Sequence, residues 1–199
     1  MSQERKVLHV GCGAPNPMKL HAHFRKPGWR EVRLDIDPVV KPDIVASMTD
    51  MSVIPDGDMD ALYSSHNVEH LYPHEVPVAL REFRRVLKPT GFALITLPDL
   101  QEIAKLVAED KLEDAAYQSP AGPISPLDML YGFRPSMARG NLFMAHRTGF
   151  TAKTLGQHCV AAGFAEVRLW KGSCFDLWAQ AFVTPPPKQA EQPAAAVEA

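Results

Sequence analysis

Cysteine is scarce in these 199 residues: there are three, Cys12, Cys159 and Cys174, with no CxxC spacing. An odd, scattered set fits neither a disulfide framework nor a zinc ribbon, and it agrees with a reducing cytoplasmic setting. Neither sign of charge dominates, since 21 Lys and Arg meet 23 Asp and Glu for a formal net charge of −2. A basic field able to hold a nucleic-acid backbone is therefore missing. The longest mainly apolar run, residues 92–97, falls far short of the ~20 residues that span a bilayer, so no membrane partner is expected. The polar start MSQERK leads straight into VLHV, which argues against a secretory leader. What is present is ordinary globular composition, 46% hydrophobic and 22% charged, in a length suited to one domain.

Along the chain, strand-like and helix-like stretches alternate. Residues 6–10, 31–36, 43–46, 61–65 and 92–97 read as strands. Residues 75–87 set Val76, Leu80, Phe83, Val86 and Leu87 on one helical stripe, which Lys88-Pro89-Thr90-Gly91 ends. Residues 151–162 read as a helix with Thr151 as N-cap and Gly163 at its end. Residues 164–170 and 174–183 form two last strands joined by a short turn, which implies one antiparallel strand at or near the sheet edge. The pattern predicts a doubly wound α/β domain, residues 1–183, with a mostly parallel sheet covered on both faces. Residues 110–149, rich in Pro, Gly and Met, show no sustained period and read as a functional insertion. Residues 184–199, TPPPKQAEQPAAAVEA, read as a disordered tail.

The chemistry begins at VLHVGCGAP, residues 7–15, where Gly11 and Gly13 let the backbone turn tightly after a strand and approach a ligand closely. Asp35 lies twenty residues after Pro15, about the spacing at which an acid receives the ribose hydroxyls of a nucleotide. Then VRLDIDP, SMTDM, DALYSSHNVEHL, EFRRVLKPTGFALITLPD and GFTAKTLGQHCVAAGFAEV follow in order. With these motifs the chain resembles the class I S-adenosylmethionine-dependent methyltransferases over about residues 6–109 and 149–183. The resemblance implies a Rossmann-like seven-stranded sheet with an antiparallel last strand, S-adenosylmethionine as cofactor, and methyl transfer to a small or mid-sized acceptor.

Carried over position by position, the resemblance puts Gly11 and Gly13 under the methionine and ribose of the cofactor. Asp35 would accept from the ribose hydroxyls and Ile36 would pack on adenine. Asp50 would take the adenine amine, with Met51 supplying an amide or an apolar face. Ser65 and His66 would lie nearest the transferring methyl group, with His66 the first choice of general base and His146 the second. Two positions depart from the family pattern: His9 stands where an acid is usual, and Pro15 where a third glycine is frequent. Pro15 and Pro17 also imply a late or short first helix, and the departures motivate an alternative, a non-catalytic cofactor-binding protein acting through protein contacts.

Other readings are weaker. His66-Asn67-Val68-Glu69-His70 matches an inverted zincin motif, HxxEH, with His74 four residues on. Pro73 and the strand before it oppose the single helix that motif requires, so no metal is expected. A dinucleotide fingerprint would need glycine at position 16, which is Asn16. The run Arg81, Arg84, Arg85, Lys88 reads as a solvated helix face. Residues 110–149 are expected to cap the acceptor, with Tyr131, Arg134 and His146 as substrate contacts; a homodimer interface is the competing use of the same apolar surface.

Overall fold

The computed structural model of the chain describes residues 4–186. Its centre is a seven-stranded sheet. In chain order the strands are β1 (Arg5–Val10), β2 (Trp29–Asp35), β3 (Ile44–Val45), β4 (Met59–Ser65), β5 (Leu87–Pro98), β8 (Glu166–Lys171) and β9 (Asp176–Phe182), and across the sheet they run β3-β2-β1-β4-β5-β9-β8. All neighbours are parallel except β9, which is antiparallel to both β5 and β8. The antiparallel strand is thus one place in from the edge. Strand order reverses between β1 and β4, and that switch point opens a crevice beyond the carboxyl ends of both strands.

Alternation along the strands sorts the core into two unequal layers. Leu8 and Val10 of β1, Leu62 of β4 and Ile95 and Leu97 of β5 face the larger one. There α1 (Val76–Val86) supplies Val76, Leu80, Phe83 and Val86, and α5 (Ala152–Ala161) supplies Leu155 and Cys159. The stripe read from the sequence is the buried face of α1. Thr151 caps α5 through a reciprocal pair with Thr154, and Gly163 follows it at φ 97°. The helix α1 ends at Val86, but Lys88 to Gly91 continue directly into β5 and form no separate turn.

The opposite face carries Val7, Ala61, Tyr63 and Leu94 beneath Leu20 and Phe24. No α-helix covers it between β1 and β2. Pro15, Pro17 and Pro27-Gly28 interrupt that segment, and proline in a helix interior removes a hydrogen bond and clashes. Two 3-10 turns, Pro17–Lys19 and Ala22–Arg25, take the helix's place. Around them Trp29, Phe92, Trp170 and Trp178 are only partly buried.

Residues 110–149 hold more structure than their composition suggests. After α2 (Leu100–Ala108) come a hairpin, β6 (Tyr117–Ser119) and β7 (Gly122–Ile124), and two short helices, α3 (Pro126–Tyr131) and α4 (Arg134–Met137). Elements of three to six residues are too short to impose a readable period. No helix among the described residues is long and apolar enough to cross a membrane. Thr184 is anchored by donating its hydroxyl to the Pro89 carbonyl at 2.8 Å; the rest of the expected tail, from residue 187 on, lies outside the described residues.

Candidate functional site

The crevice has a glycine-turn half and a capped half. In the first, β1 runs into Gly11 and Gly13 at φ 64° and 61°, conformations that favour glycine. A Cβ on Gly11 would meet Asn67 Oδ1 at 2.0 Å, and one on Gly13 would meet Lys19 Nζ at 2.5 Å. Asn67 bridges the two strand ends by donating from Nδ2 to the carbonyls of Val10 and Ser65, each at 2.9 Å. Asp35 is tied to the same turn. Its Oδ2 accepts from the Gly13 amide at 2.8 Å and its Oδ1 from the Asp37 amide at 2.9 Å. Each oxygen keeps a lone pair for a further donor. Arg33 clamps the turn from below, donating to the Gly13 carbonyl at 2.6 Å.

Other residues assigned to this half differ in how far they fit. Ile36 is 53% exposed beside Asp35, free to pack on a planar ring. Asp50 is exposed, with Oδ1 accepting from the Ser52 amide at 3.2 Å. Met51 does not fit the part expected of it. Its side chain is fully buried, and its amide donates to Glu82 Oε2 at 2.7 Å. Glu82 in turn is held by Arg85, which also donates to Asp56 and to the carbonyls of Ile54 and Met51. Three of the four basic residues are therefore engaged and not freely solvated, with Lys88 on Asp60 and Arg84 on the Gly163 carbonyl, while Arg81 is exposed as the sequence reading expects. His9 is buried on the smaller face of the sheet against Tyr63, its Nδ1 2.6 Å from Glu31 Oε1. Burial holds its pKa below the ordinary value, against the pull of Glu31.

In the second half a cavity of about 130 Å³ lies over the ends of β4 and β5. His66 and Pro98 form its floor, and Tyr117, Asp128, Met129, Phe133, Met144 and His146 are among the cap residues around it. The cap is held down by the Arg147 amide donating to the Glu69 carbonyl at 2.8 Å and by His70 Nδ1 donating to the Ala145 carbonyl at 3.1 Å. His66 sits at φ 53°, a strained setting for a non-glycine residue at the end of β4, and its side chain is 48% exposed. Its Nδ1 lies 3.3 Å from Oε1 of Glu69, a side chain only 1% exposed. Burial opposes charge on both groups, yet their mutual attraction outweighs it: the His66 pKa is raised and the Glu69 pKa lowered. His146 donates from Nδ1 to the Met129 carbonyl at 2.8 Å, and burial holds its pKa down.

Tyr131 and Arg134 do not meet the cavity. Tyr131 is 62% exposed, and Arg134 closes an internal knot, donating to Asp128 Oδ1 at 2.9 Å and to Ser125 Oγ at 3.1 Å. Lys19, Asn67 and Glu69, which the spacing arguments left without a role, are the residues the fold brings in. Residues 8–95 match the family model of a methyltransferase domain. The chain therefore resembles methyltransferases over that stretch, which includes Gly11, Gly13, Asp35 and His66. No curated protein matches it. The fold is shared with a SAM-dependent methyltransferase from Archaeoglobus fulgidus, at 16% identity and TM-score 0.61 over 89% of this chain and 85% of that one. A SAM-dependent methyltransferase from Methanosarcina mazei, also 16% identical, superposes at TM-score 0.58 over 92% and 95%. So does the 1,6-didemethyltoxoflavin-N1-methyltransferase of Burkholderia thailandensis with bound 1,6-didemethyltoxoflavin and S-adenosylhomocysteine, at 15% identity and TM-score 0.56 over 92% and 72%.

Proposed function

We propose that the protein is a class I S-adenosylmethionine-dependent methyltransferase that moves the methyl group of its cofactor to a small or mid-sized acceptor held in the cavity beneath residues 110–149. The observation that carries this reading is the position of the cavity over the carboxyl ends of β4 and β5, with His66 in its floor and next in sequence to Asn67, which packs against Gly11 of the glycine turn. The methionine end of a cofactor laid along Gly11 and Gly13 points toward the end of β4, where His66 begins the cavity wall. Asp35 receives the ribose, Ile36 covers the adenine, and Lys19 meets the methionine carboxylate. The chemistry is an in-line displacement at an already electrophilic sulfonium, so the protein chiefly aligns the acceptor and excludes water. An acceptor hydroxyl or ammonium must also lose a proton, and His66, backed by Glu69, is the group placed to take it.

Two measurements test this. Titration calorimetry with S-adenosylhomocysteine should show one site. Incubation with S-adenosylmethionine and a panel of small phenols, alcohols and amines should yield a methylated product by mass spectrometry. Absence of any cofactor binding by the folded protein overturns the reading.

A further inference from the structure

Among the described residues, Glu69 is the only carboxylate with both oxygens buried and accepting no hydrogen bond. It stands in the single 3-10 turn Val68–His70 that follows β4, and three imidazoles surround it: His66, His70 and His146. Leaving a charged group in such a place is costly unless a cation or donor completes it. The contact with His66 is close but misaligned for a hydrogen bond, so it answers for one oxygen at most.

We infer that Glu69, His70 and His146 form a binding site for one divalent transition-metal cation of the zinc type, open on its free side to the cavity. One ligand atom from each lies within 4.8 Å of the other two. A bound ion would draw that spacing in by about 1 Å, given metal–ligand bonds near 2.0–2.2 Å. The extended chain around His146, outside any helix or strand, can supply the movement. The outer contacts are those that orient metal-binding imidazoles. His146 Nδ1 donates to the Met129 carbonyl and His70 Nδ1 to the Ala145 carbonyl, which leaves each Nε2 as the potential ligand atom. His70 Nε2 also lies 3.1 Å from the His66 carbonyl, so a metal there replaces a hydrogen-bonding proton. Two imidazoles and a carboxylate suit zinc and its first-row neighbours over magnesium or calcium, which take oxygen ligands. Three protein ligands leave a fourth position for water or an oxygen or nitrogen of whatever occupies the cavity.

The site does not require the methyl-transfer reading, and it differs from the helical HxxEH arrangement. The turn is not a helix, and His74 stacks on Tyr72 away from the cluster. The third ligand comes instead from the cap, 76 positions beyond His70.

The test uses untagged full-length protein stripped with a chelator and titrated with zinc chloride against a chromophoric competitor. One equivalent should bind, and Glu69→Gln and His146→Ala should each weaken it by about 100-fold or more, above the 10- to 100-fold usual for outer-sphere changes. His74→Ala should leave it unchanged. Cobalt(II) in place of zinc should give the visible bands of a low-coordinate site in the parent protein and lose them in His146→Ala. That variant changes only the cap, which keeps the test decisive should Glu69→Gln fail to fold. No zinc binding by the folded parent protein, or binding that persists undiminished in His146→Ala, overturns the inference.

Discussion

At the scale of single residues, Asp35 has two tasks with one carboxylate. It holds the Gly13 amide and, in the proposed complex, the ribose. Removing a charge-assisted acceptor costs about 1.5–3 kcal/mol, so Asp35→Ala should weaken S-adenosylhomocysteine roughly 10- to 100-fold by calorimetry. Unchanged affinity in a folded variant would remove Asp35 from the site. Lys19 is separable from it by ligand choice. Lys19→Met should cost about 1 kcal/mol, or roughly five-fold, against S-adenosylhomocysteine, yet nothing against adenosine, which lacks the carboxylate. His66→Ala should lower turnover by about 10²–10⁴ with little change in cofactor affinity, once an acceptor is in hand. The glycine turn and its link to Asp35 follow from local backbone and fixed spacing, and the structure joins the two through the Gly13 amide. Glu69 was not legible in the sequence. Its burial depends on residues 145–148 folding back over it, and nothing in HNVEH announces that. Met51 is engaged by a partner distant in sequence, Glu82, while Arg134 is taken up by Asp128 only six residues before it.

At the scale of elements, periodicity was enough wherever an element is long. The strands and α1 follow from alternation and from a five-residue stripe, and proline chemistry explains both the end of α1 and the short turns that replace the first helix. The cap escaped because its order comes from side-chain knots within short pieces. Asp128 is the centre of one. It closes a capping box with Ser125 and accepts from Arg134. Burial opposes its charge, but the Arg134 and Ser125 donors prevail and lower its pKa from 3.8 to about 2. A depressed carboxylate stabilises the fold fully above its unfolded pKa and loses that contribution as pH falls through its folded one. Asp128→Asn should therefore lose about 2 kcal/mol at neutral pH, and the difference from the parent should shrink between about pH 4 and pH 2. Urea unfolding at pH 7 and at the lowest pH that preserves the fold checks it, and a pH-independent difference would assign the loss to packing alone.

At the scale of the whole molecule, the two sides of the sheet are unequally defended. The larger core is sealed by α1 and α5, while the smaller rests on Leu20 and Phe24 carried by two 3-10 turns. Segments with few buried apolar contacts open at a fraction of the global unfolding free energy. Residues 15–28 should accordingly exchange their amide hydrogens well before those of α1. The same segment carries Lys19, whose ammonium reaches the glycine turn, so in the proposed complex the cofactor would tie the thin side of the sheet to its centre. Ligand at 100 times its dissociation constant adds about 2.7 kcal/mol to the liganded state. That should slow exchange across residues 15–28 by up to about 100-fold in hydrogen-exchange mass spectrometry. The effect requires the lysine link and the ribose contact together. Lys19→Met, saturated with S-adenosylhomocysteine to the same occupancy, should retain protection around Asp35 but lose most of it in the turns. Equal protection of the turns in that variant would mean that the cofactor orders the whole smaller face through the glycine turn alone.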